Sequence, residues 1–360
     1  MKLLVLAQTP PPVHGQSIMV KALVDGLPSV GIEVIHVEMR LSNSSDDIGR
    51  WRPGKVFSVA RAALAARRLA RQKGCDALYY VPAPAKRGAL YRDVLAMGLC
   101  RDRGRALALH WHAPGLGAWL GARATPVERA LALRALGNAD LSVVLGPELE
   151  ADAAALSPRR VAIVPNGLPD PGPFIPHTQG ATCELLFLGL GSREKGLHDL
   201  VDAVSQLNAR LPGAFRLTFA GGFPNSTDRR AFEDRTRGSG DVVRWVGFAD
   251  EIQKRNLLTS SDIFCLPTTY ANEGQPLALI EALAYDLRVV TTRWRAIPGM
   301  MPEKGVWFVE PGHPAGLAAA IESAAAAPPP GGVMRRQYLD RFTIERHLNA
   351  MKTALGLLGT

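Results

Sequence analysis

The chain has 360 residues, 47% of them hydrophobic and 21% charged, with 42 Lys/Arg against 33 Asp/Glu and a formal charge of +9. That length exceeds an ordinary single domain and suits two, and the composition excludes a disordered or fibrous chain. Four scattered cysteines without a C-x-x-C pair exclude a disulfide scaffold, and sparse aromatics (6%) without a recognition motif argue against a nucleic-acid partner.

Leu3–Ala7 reads as a first buried strand; with one charge and a short apolar run, the N-terminus is too short for a signal segment. Ser17–Leu27 is a predicted helix closed near Gly31, then Ile32–Glu38 a strand and Val56–Gln72 a helix. Strands follow at Ala77–Val81, Ala106–His112, Leu141–Leu145 and Val161–Val164. The turn-rich Pro165–Gly180, with five prolines and three glycines, reads as a linker. The pattern restarts with strand Glu184–Leu188, helix His198–Leu211 and strand Phe215–Ala220. Val242–Val246, Ile263–Leu266, Arg288–Thr291 and Val306–Val309 complete a second strand set. After a break at Pro328–Gly332 comes a last helix, Ile344–Leu358. Strands spaced by helices imply parallel sheets, so the expected fold is α/β: two Rossmann-like domains facing a cleft. The expected division is 1–170, 171–342 and a C-terminal helix at 343–360. No run nears the roughly 18 apolar residues of a membrane span, and the four cysteines read as reduced packing residues of a cytoplasmic protein.

Several segments carry chemistry. Pro10-Pro11-Pro12-Val13-His14-Gly15-Gln16-Ser17 joins the first strand to a helix, and Gly15 lets backbone approach a ligand there. Between Arg50 and Arg105 stand 14 Lys/Arg against Asp76, Asp93 and Asp102 alone. Two readings of that excess stand: an anionic membrane surface or acceptor, or a solvated helix face. In His110-Trp111-His112, period-two alternation puts both histidines on one face of a strand end. A metal site, a structural role and a ligand-facing histidine all remain open. Phe187-Leu188-Gly189-Leu190-Gly191-Ser192-Arg193-Glu194-Lys195-Gly196 places Arg193 and Lys195 after a strand, suited to a diphosphate.

The most informative stretch is Asn272-Glu273-Gly274-Gln275-Pro276-Leu277-Ala278-Leu279-Ile280-Glu281. A helix starting near Pro276 puts Glu273 in the preceding loop and Glu281 in the second turn. First-turn N–H groups, with Gly274 allowing close approach, form an anion site, and a carboxylate on each side can accept sugar hydroxyls. That is the layout a sugar–diphosphate–nucleoside needs.

The segment resembles the E-G-x-P-x-x-x-x-E-A block of retaining glycosyltransferases of family 4, which have the GT-B fold. Lys195-Gly196 is similar to that family's G-R-L-x-x-x-K-G block, Ala139-Asp140 to its A-D strand entry, and Val164-Pro165-Asn166-Gly167 to its I-P-N-G turn. Val246-Gly247-Phe248 and Ser261–Thr268 continue the series in order, so the likeness runs over about residues 4 to 345. Two departures stand out: Leu190 where the family has arginine, and Asp286-Leu287-Arg288 where it has G-x-P.

The resemblance implies a hexosyltransferase taking a UDP- or GDP-sugar donor and a glycan or lipid-linked acceptor, in bacterial cell-surface polysaccharide synthesis. The expected setting is cytoplasmic, and the membrane reading of the basic run would place the enzyme on the inner face of the plasma membrane. His112 and Glu273 would act at the reacting sugar. Gly15, Arg193, Lys195, Gly274, Gln275, Pro276 and Leu277 would bind the donor, and Glu281 its ribose. No Asp-x-Asp triplet occurs, so neither a metal nor another cofactor is expected. Retention without a carboxylate nucleophile implies front-face displacement, in which the leaving phosphate takes the acceptor proton; glycosidases use paired carboxyls instead. A nucleotide-sugar 2-epimerase and a non-catalytic nucleotide-sugar-binding protein are the alternatives.

Overall fold

Runs of small and branched apolar residues, unbroken by charge, suit strands covered on both faces, and such strands pair in parallel. In the computed structural model, which describes residues 1–40, 53–102, 104–175 and 177–359, they form two sheets of six parallel strands. Contacts divide the chain into two units. The first is Met1–Gly167 with Asn272–Gln275 and Ile344–Thr360; the second is Leu168–Ala271 with Pro276–Thr343.

The first unit holds β1 (Lys2–Ala7), β2 (Glu33–Glu38), β3 (Ala77–Tyr80), β4 (Ala106–Trp111), β5 (Leu141–Val144) and β6 (Val161–Ile163), ordered β2-β1-β3-β4-β5-β6. Its helices are α1 (Gly15–Gly26), α2 (Pro53–Gln72), α3 (Arg87–Cys100), α4 (Leu116–Ala122), α5 (Pro126–Leu136), α6 (Glu150–Ala154) and the C-terminal α14 (Ile344–Gly356). Alternation along β1 sends Leu3 and Val5 to one face, with Val20 of α1 and Met351 of α14. Leu4 and Leu6 go to the other, with Ala63 of α2 and Met97 of α3. The C-terminal helix therefore returns to the first sheet. Gly26 permits that packing, because a Cβ there would meet Leu348 Cδ1 at 2.5 Å.

The second unit orders β7 (Cys183–Leu188), β8 (Phe215–Ala220), β9 (Val243–Trp245), β10 (Ile263–Leu266), β11 (Arg288–Thr292) and β12 (Val306–Val309) as β12-β11-β10-β7-β8-β9. Its helices are α7 (Leu197–Arg210), α8 (Ser226–Thr236), α9 (Glu251–Thr259), α10 (Leu277–Ala284), α11 (Ile297–Met300), α12 (Pro314–Ala326) and α13 (Val333–Arg341). One continuous core joins Phe187, Phe219 and Phe264 of the sheet to Leu200 of α7 and Ile321 of α12.

The helix expected from Val56 begins at Pro53, since proline is tolerated in a first turn. Arg50, Arg52 and Arg103 of the basic run lie outside the described residues. Among the described residues no helix is long and apolar enough to cross a membrane.

Leu355 of α14 is fully buried in the first unit's core. Leu355→Ala is expected to cost about 2–5 kcal/mol in urea unfolding; a loss below about 1 kcal/mol would contradict α14 as part of that core.

Candidate functional site

In a parallel sheet every strand ends on the same edge, and ligands bind beyond the carboxyl ends. In the first unit, the loop after β1 leads to α1, whose first residue is the exposed Gly15. His14 caps that helix: its Nδ1 accepts from Ser17 N–H at 3.3 Å, and Ser17 Oγ accepts from His14 N–H at 3.1 Å. A histidine is an unusual cap, but the reciprocal pair does what a Ser/Glu capping box does.

Asn272–Gln275 belongs to this unit and docks at the carboxyl edge of β4, β5 and β6. The Gln275 side chain accepts the Asn166 backbone N–H at 2.9 Å and donates to the Leu145 carbonyl at 2.7 Å. Asn166 Nδ2 in turn donates to the Gln275 carbonyl at 3.2 Å. Gly274 lies so close to the His112 carbonyl that a Cβ would collide with it, which is why glycine stands there. Glu273 and Gln275 are both buried, at 6% and 7% exposure.

His110 and His112 end β4 with ring centroids 4.2 Å apart, and His347 of α14 stacks 6.3 Å from His110. Tyr79 hydroxyl and His110 Nδ1 share a 2.6 Å hydrogen bond. His347 Nδ1 donates to the Pro165 carbonyl at 2.7 Å, which leaves its Nε2 as the acceptor nitrogen. The Nε2 atoms of all three histidines are buried and have no hydrogen-bond partner among the described residues. Burial holds His112 down at about 3, helped by the nearby His347 and His14, and depresses His110 and His347 as well. These rings are therefore neutral at neutral pH. Among the described residues no three His, Cys, Asp or Glu side chains are gathered to hold a metal ion. All four cysteines are buried and unpaired, and burial pushes Cys100 and Cys183 up to about 12, away from nucleophilic use.

In the second unit, β7 leads into the loop Gly189–Gly196. Lys195 Nζ lies 4.9 Å from the centroid of the Tyr270 ring, a cation–π contact that fixes the ammonium beyond the strand end. Arg193 is exposed, with its backbone N–H on Asp228 Oδ1 at 3.2 Å. Gly196 adopts φ +80° and abuts the Pro267 carbonyl, so the turn into α7 admits no side chain. Pro276 is the N-cap of α10 and supplies no side-chain cap, so the helix begins at Leu277, one residue beyond the expected start. Leu279 and Ile280 N–H return to the Pro276 carbonyl, and the Leu277 and Ala278 amides have no hydrogen-bond partner among the described residues. Glu281 follows in the second turn, its Oε1 2.6 Å from Lys254 Nζ of α9.

Residues 182–326 match the family profile described as glycosyl transferases group 1. This part of the chain is a group 1 glycosyltransferase domain. Over 147 residues the chain is 29% identical to WcaL of Salmonella typhimurium, a glycosyltransferase assigned provisionally to colanic acid biosynthesis. That match takes in 39% of this chain and 36% of the relative, so it spans about a third of that protein's length. The whole chain superposes on sucrose-phosphate synthase of Thermosynechococcus elongatus with a TM-score of 0.78, at 19% identity and 99% coverage of both. Anabaena HepE in complex with UDP and glucose gives 0.71 at 16% identity, again at 99% of both chains. At such identities the likeness establishes the fold, two parallel α/β sheets of GT-B type.

The group 1 domain explains one of its own departures. Where G-x-P is missing, Asp286 adopts φ +54°, a left-handed conformation that aspartate tolerates. Its carboxylate then caps α13, accepting from Gly332 and Arg335 N–H at 2.7 and 3.1 Å. Arg288 is buried on Asp262 and on the Ala324 and Ala327 carbonyls. Leu190, in the family's arginine position, is 42% exposed, and nothing in the structure explains it.

Sequence reasoning missed Lys254, His347, Tyr79 and the anchoring role of Asn166. The only available signal was Asn166 inside the I-P-N-G turn.

The depressed histidines make stability pH-dependent. The unfolded chain takes protons near 6.5 while the folded rings stay neutral, so stability is full above 6.5 and falls as pH drops. Unfolding free energies from denaturant titrations are expected to decline from about pH 6.5 to 5, by up to about 1.4 kcal/mol per pH unit for each histidine. His112→Gln should flatten that slope by one histidine's share; an unchanged slope contradicts the assignment.

Proposed function

We propose that the chain is a retaining, metal-independent glycosyltransferase that moves a hexose from a nucleotide sugar to a glycan or lipid-linked acceptor in bacterial cell-surface polysaccharide synthesis. The observation that carries this reading is α10. An N-terminus without a side-chain cap, whose first two amides have no partner among the described residues, is followed one turn later by the nearly buried Glu281 carboxylate. A diphosphate suits the first feature and a ribose diol the second.

In this reading Lys195 and Arg193 join the Leu277 and Ala278 amides in neutralising the diphosphate, while Gly15, Gly274, Gln275 and Pro276 shape the donor site. Glu273 accepts from donor-sugar hydroxyls. His112, being neutral, acts as a hydrogen-bonding group near the anomeric centre and not as an acid. The acceptor hydroxyl attacks the anomeric carbon from the face the diphosphate leaves. The C1–O bond to phosphate breaks, the new C1–O bond forms, and the acceptor proton passes to the departing phosphate oxygen. Rate then comes from positioning and from charge stabilisation at the leaving group. The similarity to UDP-bound HepE supports a UDP-sugar, and the similarity to WcaL supports a polysaccharide product.

The acceptor side has its own support in α2. Phe57, Arg61, Leu64 and Arg68 recur at helical spacing and are exposed, Phe57 at 82% and Leu64 at 51%. A basic stripe with protruding apolar side chains fits the anionic inner face of a membrane, where lipid-linked acceptors reside. Leu190 favours one competing reading, a nucleotide-sugar-binding protein without turnover.

Calorimetry with UDP and GDP should show Glu281→Ala weakening nucleotide binding by about tenfold or more, the worth of hydrogen bonds to a charged group; wild-type affinity counts against the ribose role. Transfer assays with a nucleotide-sugar panel and EDTA should show turnover that survives chelation, whereas donor binding without transfer would favour the binding-protein reading. Flotation with vesicles containing anionic lipid should capture the protein, and Arg61→Glu/Arg68→Glu should release it. Capture unchanged by that pair would remove α2 from the interface.

A further inference from the structure

Glu281 stands on α10, but its charge is managed from α9. Lys254 Nζ lies 2.6 Å from Glu281 Oε1 and 2.9 Å from Glu251 Oε1. The two carboxylates are very different: the Glu251 side chain is 89% exposed, that of Glu281 only 17%. An exposed i,i+3 pair contributes little, whereas a desolvated carboxylate needs a partner to stay ionised. The Lys254 stem is held by its helix, which a reciprocal Asp250/Gln253 box caps one turn earlier.

We propose that Lys254 is a positioning residue for nucleotide binding: it holds the Glu281 carboxylate ionised and turned on Oε1, so that Oε2 is presented to a ribose diol. This rests on the nucleotide-sugar reading of the site and deepens it.

The surroundings support a specific dependence on Lys254. Burial raises the Glu281 carboxyl and Lys254 opposes it; Glu251 is the other charged group acting there and raises it further. The Tyr285 phenol stands one turn along α10, with Arg255 of α9 acting on it. From α13, Arg335 reaches the far end of α10, at the Ala284 carbonyl. With Lys254 removed, burial and Glu251 both favour the protonated carboxyl. A protonated Glu281 gives up acceptor capacity and the charge that strengthens its hydrogen bonds, so it favours a ribose over a deoxyribose less.

The test uses the full chain with UDP and 2′-deoxy-UDP, titrated by calorimetry at about pH 6.5 and about pH 8.5. The wild type is expected to prefer UDP by about tenfold at both pH values. Lys254→Met should lose most of that preference at the lower pH and regain part of it at the higher, while Lys254→Arg keeps it. A Lys254→Met protein with wild-type preference and pH profile overturns the proposal. A second measurement does not need nucleotide: the Glu281 carboxyl followed by carbon-detected NMR in the free protein should titrate higher in Lys254→Met. An unchanged titration also overturns it. If the wild type binds neither of these nor GDP, the nucleotide-sugar reading fails, while the NMR result still decides whether Lys254 sets the charge of Glu281.

Discussion

The buried primary amide of Gln275 fixes the Asn272–Gln275 loop against the carboxyl edge of the first unit's sheet. A side-chain amide without partners would be costly in that setting, and here both its ends are used, on Asn166 N–H and on the Leu145 carbonyl. The return bond from Asn166 Nδ2 closes the pair, and the missing Cβ of Gly274 lets the chain press against the His112 carbonyl. The backbone that follows Glu273 is thereby held by the contacts of Gly274 and Gln275. A carboxylate held this way can be oriented before any ligand arrives, the condition under which electrostatic stabilisation costs no reorganisation.

The two units handle charge in opposite ways. In the first, Tyr79, His110, His112 and His347 form a polar cluster without net charge, kept neutral by burial. In the second, charge is kept and paired: Lys195 over an aromatic ring, Lys254 between two carboxylates, and an α10 N-terminus whose amides offer partial positive charge.

The fold was legible because parallel strands leave a local signature: short apolar runs at Leu3–Ala7 and Ile263–Leu266 need no distant partner to be recognised. The Glu273–Glu281 spacing and the Lys195-Gly196 turn were equally local, each set by one loop and one helix start. Lys254 was not legible, because in sequence it pairs with Glu251 as any solvated helix face does, and its contact with Glu281 exists only once α9 and α10 pack. His347 is separated from Pro165 by 182 positions and sits in a helix without a motif. Helix α3 also escaped, since its buried side includes Asp93, which takes the Tyr80 hydroxyl and Ala83 N–H and so hides a core position behind a charge. Asp286 shows the converse: the position departs from the family's G-x-P, yet aspartate adopts a left-handed turn there and caps the next helix.

The most direct measurement is a crystal structure of the protein soaked with UDP. The account requires phosphate oxygens at hydrogen-bond distance from the Leu277 and Ala278 amides, and both ribose hydroxyls on Glu281. A nucleotide bound elsewhere, or seated with its ribose turned away from Glu281, would contradict it.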